Sequence, residues 1–310
     1  MLSWSQELER SAYALAGGRL QQLRAVHVAN IDSTNSALLQ AAQQGDIAPQ
    51  VLWADVQTAG RGRMGRQWHS AQPLMTEQTG QTGQTGQTGQ TAPAPQRSLT
   101  FSIGLPFAPQ DWSGLSLVVG VAVAEVLGAT VLLKWPNDIC VREATGYAKL
   151  GGILLETQAL PEAAATDLAA SAGLHKGAAR WLVIGLGLNL QGQPSGDLRA
   201  PATDLANSLG PSTAAALLAD VPGLCARLVL AILQAVLRFE RTGFAPFAPA
   251  FGQRDVLLGQ RIATFHDGQM GQTGLALGAA LNGSYRLRLD HGGEQAIHSA
   301  EISLRPYGAA

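Results

Sequence analysis

The chain has 310 residues, of which 46% are hydrophobic and 14% charged, and its formal net charge at pH 7 is −1. This length is sufficient for a buried core and about two domains. The near-neutral charge disfavours a general nucleic-acid-binding protein, whose surface is strongly basic. The sequence contains neither a signal-peptide pattern nor an uninterrupted apolar run of roughly 18 residues, so we expect no secretion and no membrane span. Two distant cysteines, Cys140 and Cys225, predict no disulfide and fit a reducing compartment.

The first fifty residues predict a helix, a strand and a second helix. Residues 1–25 form a short helical lead with no room for a DNA-binding helix-turn-helix domain, so we expect no nucleic-acid partner. A strand at residues 26–31 precedes a helix that Asp32 or Ser33 can cap. For Ser33, Thr34 and Asn35, two interpretations stay open: capping of this helix alone, or ligand binding.

The most informative segment is residues 59–68, with the sequence Ala-Gly-Arg-Gly-Arg-Met-Gly-Arg-Gln-Trp, which follows a predicted strand at 51–56. Its glycines allow the backbone to approach a ligand closely. Its arginines carry planar charged groups that suit phosphate or carboxylate oxygens, and Trp68 offers a flat face to a nucleobase. The pattern predicts a site for a polyanion such as a nucleoside triphosphate. The alternative is a solvated basic turn.

Repetitive sequence follows this loop. Residues 76–91 repeat Thr-Gly-Gln with a period of three, and Ala-Pro-Ala-Pro comes next. This composition has no apolar surface that could offset the entropy lost on ordering. We therefore expect residues 73–97 to be a disordered, low-complexity insertion that interrupts a domain.

A second motif, Lys-Trp-Pro-Asn-Asp at residues 134–138, ends a predicted strand that follows a buried helix at 112–127. Residues 139–141 are its predicted hairpin partner. A lysine in an apolar strand is costly to bury unless it meets an anion. Asn137 and Asp138 could then contact a nucleotide or its Mg²⁺. A Pro-Asn-Asp turn without a ligand is the alternative.

Two further segments combine glycines with one polar side chain. Lys149 stands at the predicted entrance of a strand at 151–156, next to two glycines, where it could neutralise charge at a phosphorus centre. Residues 185–189, Gly-Leu-Gly-Leu-Asn, end another strand with an amide. Neither glycine pair follows the dinucleotide-binding pattern GxGxxG, and no Walker loop is present. The six histidines show no metal-ligand spacing.

The last hundred residues predict one or two long helices at 213–242 and then short strands separated by glycine turns. The strands, at residues 261–265, 271–276, 284–289, 295–298 and 302–305, predict a small β-barrel. We therefore predict a larger domain at residues 26–253 and a barrel domain at 254–310.

In this order, the motifs resemble the biotin–protein ligase family, the biotin–[acetyl-CoA-carboxylase] ligases. The resemblance covers about residues 26–306 and is carried by residues 33–35, 57–68, 134–138, 149–154, 185–189 and 301–305. It implies an α+β fold: a mixed β-sheet catalytic domain of the class II synthetase-like biotin/lipoate ligase type, with helices on one side, followed by an SH3-like β-barrel. The short lead resembles the monofunctional form without an N-terminal DNA-binding domain. The Thr-Gly-Gln tract, and Thr100 where an aromatic residue is usual, depart from the family pattern.

The resemblance also implies two half-reactions that use biotin and ATP as substrates with Mg²⁺. The biotin carboxylate attacks the α-phosphorus of Mg-ATP, which gives biotinyl-5′-AMP and pyrophosphate. A lysine of the biotin carboxyl carrier protein of acetyl-CoA carboxylase then takes the biotinyl group. A cytoplasmic protein without nucleic-acid or membrane partners is implied, with a homodimer as one assembly. Two alternatives are a lipoate–protein ligase of the same superfamily and a non-catalytic biotin- or nucleotide-binding regulator.

By the same resemblance, each motif residue has an implied role. The residues implied for biotin binding are Ser33, Thr34, Asn35, Gln57, Gly60, Arg61, Gly62, Arg63, Lys149 and Gly152. Those implied for ATP binding are Arg63, Arg66, Trp68, Lys134, Asn137, Asp138, Asn189 and Arg305. Trp68 would stack on adenine, and Asn189 would form a hydrogen bond with it. The implied catalytic residues are Lys149, Arg63 and Arg66, with Asp138 as the Mg²⁺ ligand.

Overall fold

The structure is a computed structural model that describes residues 3–68, 97–144, 146–160, 179–192, 201–266, 268–298 and 302–307. The insertion predicted at residues 73–97 lies outside these residues except for Arg97. The helices are α1 (Trp4–Ala16), α2 (Thr34–Gln43), α3 (Leu115–Leu127), α4 (Leu205–Ser208), α5 (Pro211–Leu218), α6 (Val221–Thr242) and α7 (Ala248–Gly252). Short 3₁₀ turns lie at Gly17–Leu20, Arg63–Gly65 and Ala245–Phe247.

A seven-stranded sheet forms the centre of the larger unit, in the order β1-β2-β3-β7-β6-β5-β4. Its strands are β1 (Arg24–Ile31), β2 (Gln50–Gln57), β3 (Ser98–Phe107), β4 (Val131–Lys134), β5 (Asp138–Glu143), β6 (Gly146–Ala159) and β7 (Arg180–Asn189). Strands β1 and β2 are parallel, and the other neighbours are antiparallel. The sheet is therefore mixed, which confirms the predicted α+β class, and the predicted β4–β5 hairpin is present.

The main core lies between one face of this sheet and helices α1, α3 and α6. Helix α6 begins at an Asp220 cap, which accepts a hydrogen bond from the Gly223 N–H at 2.9 Å. By length and composition α6 could cross a membrane. Its fully buried residues, such as Leu228, Ile232 and Val236, recur at helical spacing on one face and join the main core. This pattern is that of a core helix.

Helix α2 packs on the opposite face of the sheet, so the implied arrangement with all helices on one side is wrong for this helix. A second, small apolar cluster joins Leu38 of α2 to Leu52, Trp181 and Val183 of the sheet. Gly104 leaves room there, because a side chain at this position would overlap with the Trp181 ring. The N-terminus of α2 thereby reaches the sheet surface beside β3 and β7.

The C-terminal unit is a five-stranded antiparallel sheet in the order β11-β10-β9-β8-β12. Its strands are β8 (Arg261–His266), β9 (Gln269–Ala279), β10 (Tyr285–Leu289), β11 (Glu294–Ile297) and β12 (Ile302–Pro306). The segment that leads into the C-terminal unit forms backbone hydrogen bonds with edge strand β4 of the larger sheet. The Leu133 N–H donates to Arg254 O at 2.8 Å, and the Val256 N–H donates to Leu133 O at 3.0 Å. Trp135 lies 5.6 Å from the Tyr285 ring across this contact. The domain division at residues 253 and 254 stays a prediction.

The raised pKa of Asp255, which lies at this contact, predicts that the stability of the fold depends on pH. Burial raises the pKa of Asp255 to about 6, although hydrogen bonds from the Leu257 N–H and the Tyr285 O–H favour the ionised form. The unfolded chain loses this proton near pH 4, so the free energy of unfolding should fall as pH rises from about 4 to about 6, by up to about 3 kcal/mol. Asp255→Asn should remove this decline. Urea unfolding of both proteins from pH 4 to 8 measures it, and parallel curves would contradict the assignment.

Candidate functional site

The glycine-arginine loop is a folded turn held by its own backbone. The Trp68 N–H donates to Gly60 O at 2.9 Å, and the Gly62 N–H donates to Arg66 O at 2.7 Å. Gly60 is required for this closure, because a side chain here would overlap with the Trp68 carbonyl oxygen. Met64 takes a left-handed conformation with φ 57°. The loop therefore holds its three arginines in defined places beyond the end of β2.

Asp138 is the centre of a cationic cluster formed by Lys134, Lys149, Arg63 and Arg66. The Lys149 Nζ lies 2.5 Å from one carboxylate oxygen, and the Lys134 Nζ lies 3.6 Å from the other. Burial alone would raise the pKa of the Asp138 carboxyl, but the charges of Lys149, Lys134 and Arg66 outweigh burial and lower it. Asp138 is therefore ionised and acts as a counter-ion for several cations at once.

Arg63 joins the cluster from the loop. Its guanidinium donates to Asn137 Oδ1 at 3.3 Å, and Asn137 in turn donates to the Ile153 carbonyl oxygen at 2.7 Å. Burial lowers the pKa of Arg63, the Asp138 charge opposes this, and the Arg66 charge adds to it. Four cations therefore surround one carboxylate, and this excess of positive charge suits an anionic ligand.

A β-bulge determines where Lys149 points. The pairing of β5 with β6 runs from Ile139 and Gly151 directly to Cys140 and Lys149, which leaves Leu150 unpaired. Because a bulge shifts the alternation of side chains, Lys149 and Gly152 lie on the same face, and the Lys149 Nζ is 3.3 Å from where a Gly152 side chain would begin. The prediction that Lys149 stands at the entrance of a strand is wrong. It lies inside β6, which begins at Gly146.

An uncharged polar network lies at the N-terminus of α2. The Thr34 N–H donates to Gln57 Oε1 at 2.7 Å, and the Thr34 and Ser102 hydroxyls are 2.7 Å apart. The Ser102 hydroxyl donates to Asn35 Oδ1 at 2.5 Å. Ser33 is buried and caps α2, because its hydroxyl accepts from the Ser36 N–H at 3.4 Å. The structure thus brings Thr34, Asn35 and Gln57 together and gives Ser33 the capping geometry.

Glycines form the surface between the network and the cationic cluster. In the sheet, Gly187 pairs with Thr100 on one side and with Gly152 on the other. The Trp68 ring lies directly over Gly187, where a side chain would overlap with it. Asn35 covers Gly185 in the same way. Small residues thus allow Trp68 and Asn35 to lie close against the sheet.

The remaining implied residues lie near this surface with other contacts. Asn189 is buried, and its amide donates to Thr203 O at 2.9 Å. Arg305 of β12 stacks 4.2 Å from the Phe265 ring, and its charge acts on Tyr147, whose ring lies 5.9 Å from the Lys134 Nζ. Strand β12 thus brings a further cation towards the cluster. The implied contacts of Asn189 and Arg305 with a nucleotide stay predictions.

The surroundings of Asp138 do not fit a protein-held magnesium ion. Within the part of the chain that the structure describes, no three His, Cys, Asp or Glu side chains converge on one point. Both Asp138 carboxylate oxygens face lysine ammonium groups, so a divalent cation would have to displace a lysine. We therefore assign no Mg²⁺ to Asp138.

The uncharged network and the cationic cluster lie at two points along β6. Asn35 and Arg61 contact Glu156, and the Lys149 Nζ reaches Gly152. Gly152 and Glu156 are four residues apart in β6, a separation of about 13 Å along an extended strand. The surface can therefore hold a ligand with an uncharged polar head at one end and an anionic group at the other.

Sequence reasoning missed Ser102, Glu156 and Tyr147. The alternation of Ser98, Thr100 and Ser102 in an otherwise apolar strand was a usable signal, because a strand with one polar face is expected to line a site. Nothing local distinguishes Glu156 or Tyr147, and the partners of Glu156, Asn35 and Arg61, come from distant segments.

Comparisons with known proteins agree with this architecture. A model of the biotin/lipoate A/B protein ligase family matches residues 73–168. The biotin–[acetyl-CoA-carboxylase] ligase of Mycobacterium tuberculosis is 28% identical over 296 residues, which cover 92% of this chain and 89% of that protein. The bifunctional ligase/repressor BirA of Escherichia coli is 29% identical over 286 residues, which cover 87% of this chain and 73% of that protein.

Solved structures share the fold. A biotin protein ligase from Aquifex aeolicus, solved in complex with biotin and ATP, is similar with a TM-score of 0.61 and 21% identity. The similarity covers 91% of this chain and 99% of that one. At 21% identity, this similarity shows a shared fold and no more.

Two neighbouring glycines provide a matched test of the sheet surface. A Gly151 side chain would overlap with the backbone carbonyl of Gly187, whereas a Gly152 side chain would meet the flexible tip of Lys149 and lie 4.0 Å from the Asn137 carbonyl oxygen, an ordinary contact. Gly151→Ala should lower the free energy of unfolding by about 1–3 kcal/mol because strands β6 and β7 must move apart. Gly152→Ala should lower it by less than about 1 kcal/mol. Urea unfolding compares them, and equal losses would contradict this geometry.

Proposed function

We propose that the chain is a member of the biotin/lipoate A/B protein ligase family, to which it is similar, and that it activates biotin with ATP and transfers it to a lysine of a biotin carboxyl carrier protein. The observation that carries the proposal is the pairing of an uncharged hydrogen-bonding network with a cationic cluster along β6. Biotin has an uncharged ureido ring at one end and a carboxylate at the other. The carboxylate would lie at the cationic cluster, next to the phosphates of ATP.

In the first half-reaction, a carboxylate oxygen of biotin attacks the α-phosphorus of Mg-ATP. The bond from the α-phosphorus to the bridging oxygen breaks, and Mg-pyrophosphate leaves. Both reactants are anions, so their approach requires neutralisation by groups that are already in place. Lys149 is our choice for the group that bridges the biotin carboxylate and the α-phosphate, and Arg63 and Arg66 would hold phosphate oxygens. Mg²⁺ enters here as part of the substrate.

In the second half-reaction, the amine of the acceptor lysine attacks the acyl carbon of biotinyl-5′-AMP. The bond from that carbon to the phosphate oxygen breaks, AMP leaves, and the amine loses a proton. The acceptor that we propose is the biotin carboxyl carrier protein of acetyl-CoA carboxylase. Two buried free thiols, Cys140 and Cys225, support a reducing, cytoplasmic location. A homodimer stays a prediction that sedimentation would test.

The polar network supports biotin over lipoate as the substrate. Thr34, Asn35, Gln57 and Ser102 offer hydrogen-bonding groups that a ureido ring can match. The dithiolane ring of lipoate has no N–H or C=O group that could form hydrogen bonds with them. A non-catalytic regulator would bind biotin or a nucleotide without turnover.

One assay separates these functions. The full chain is incubated with ATP, Mg²⁺, biotin and a carrier domain, and the carrier is examined by mass spectrometry. We expect a mass gain of one biotin on the carrier and none when its acceptor lysine is replaced by alanine. A gain with lipoate but not with biotin would identify a lipoate ligase. Binding without pyrophosphate release would identify a regulator.

Lys149 is the first residue to test within this proposal. Lys149→Met keeps the aliphatic stem and removes the charge, so the fold should be retained while adenylate formation slows by about 100- to 1,000-fold. Pyrophosphate release at saturating biotin and ATP measures the rate. Arg142→Met is a control that removes an exposed cation of β5 outside the cluster. An unchanged rate for Lys149→Met would remove Lys149 from the mechanism.

A substitution of Arg63 tests whether the glycine-arginine loop retains the reactive intermediate, biotinyl-5′-AMP. Its hydrogen bond to Asn137 is a link between the loop and the β4–β5 turn. Arg63→Gly should loosen this link and release biotinyl-5′-AMP, so that lysines of an unrelated protein such as serum albumin become biotinylated. A biotin blot of albumin measures this, with Arg142→Gly as the control. Labelling confined to the carrier domain would show that Arg63 does not retain the adenylate.

A further inference from the structure

Glu156 joins two separate elements at the uncharged end of the site. Its side chain is 19% exposed and projects from β6 on the face that carries Gly152. One carboxylate oxygen accepts from the Asn35 amide of α2 at 2.9 Å. The other lies 2.8 Å from the Arg61 guanidinium of the glycine-arginine loop. A single carboxylate therefore connects α2 and the loop to the sheet.

We propose that Glu156 is a positioning residue for the uncharged head group of the ligand, and this inference rests on the proposed function. Glu156 fixes the direction of the hydrogen bonds in the network and the place of the Arg61 backbone. It would thereby set the affinity for biotin without contacting the reacting atoms.

The direction of the hydrogen bonds in the network depends on Glu156. A carboxylate only accepts, so Asn35 must turn its amide nitrogen towards Glu156 and its oxygen towards the Ser102 hydroxyl, which donates to it at 2.5 Å. The Thr34 hydroxyl then lies 2.7 Å from Ser102, and Gln57 Oε1 accepts from the Thr34 N–H. The amide nitrogen of Gln57 consequently faces Gly60. One acceptor at position 156 thus orients a chain of donors and acceptors that a ureido ring must match.

The net charge differs between the two ends of the site. Arg63 and Arg66 lie in the cluster around Asp138, whereas the Arg61 charge is balanced by Glu156. The site is therefore close to neutral at this end and strongly positive at the other. An uncharged group suits the neutral end, because phosphate would meet the Glu156 carboxylate there.

Glu156 also holds the loop backbone through Arg61. Arg61 pairs with Gln67 across the base of the loop, and its side chain also donates to the Ser36 hydroxyl at 3.3 Å. The ion pair to Glu156 thus holds the segment around Gly60 and Arg61 against α2 and β6. Without it, the segment keeps its backbone hydrogen bonds and the weaker contact of Arg61 with Ser36, but no side-chain link to β6 through Glu156.

The test uses the full chain with Glu156→Ala, Glu156→Gln, Arg61→Ala and the double variant Glu156→Ala/Arg61→Ala. Glu294→Gln is the matched control, because it removes a glutamate that faces Arg288 at 3.6 Å outside the site. Amide hydrogen exchange of the protein without ligands reports on residues 58–62. Pyrophosphate release then gives KM for biotin, KM for ATP and kcat.

We expect faster exchange at residues 58–62 in Glu156→Ala and Arg61→Ala and no change in Glu294→Gln. The KM for biotin should rise about tenfold in Glu156→Ala, while the KM for ATP changes less than about twofold. Glu156→Gln should also raise the KM for biotin, because an amide can donate as well as accept and no longer fixes the direction of Asn35. The double variant should resemble the single variants, since both break the same ion pair.

Two results would overturn the inference: unchanged exchange at residues 58–62 in Glu156→Ala, or equal rises in KM for biotin and for ATP. If the wild-type chain releases no pyrophosphate with biotin, the proposed function fails. The exchange measurement still decides whether Glu156 positions the loop.

Discussion

One partly buried carboxylate, that of Asp138, holds together four cations that would otherwise repel one another. Asp138 faces Lys134 from its own hairpin and Lys149 from β6, and it feels the charge of Arg66 from the loop. Arg63 reaches the same place through Asn137. Three separate parts of the chain therefore meet at a point where positive charge remains in excess. The function that we propose depends on this excess, since it requires two anions to react with each other.

The sheet makes this meeting point accessible. The bulge at Leu150 turns Lys149 onto the open face, and Gly185 and Gly187 allow Asn35 and Trp68 to lie against that face. The opposite face is closed by the main core. The charged and uncharged halves of the site therefore share one rigid surface, and the distance between them is set by the rise of strand β6. The relatives named as biotin ligases span most of the chain, which fits a site assembled from elements that lie far apart in sequence.

Several parts of the fold and of the candidate site could be predicted from the sequence, because the chemistry of neighbouring residues determines them. The β4–β5 hairpin, the helix cap at Ser33 and the donor-rich loop all follow from neighbouring residues. The prediction that Lys149 stands at the entrance of its strand was wrong, because the extent of β6 and its bulge depend on pairing with the partner strand. Glu156 and Ser102 were missed since their partners, Asn35 and Arg61, are distant in sequence. The side of the sheet on which α2 lies depends likewise on tertiary packing.

The most direct test of this account is a crystal structure of the chain with biotin and a non-hydrolysable ATP analogue. The account predicts the ureido ring among Thr34, Asn35 and Gln57, with the carboxylate and the α-phosphate both within hydrogen-bonding distance of the Lys149 Nζ. Biotin bound with its carboxylate remote from Lys149, or ligands bound on the helical face between α1 and α6, would contradict it.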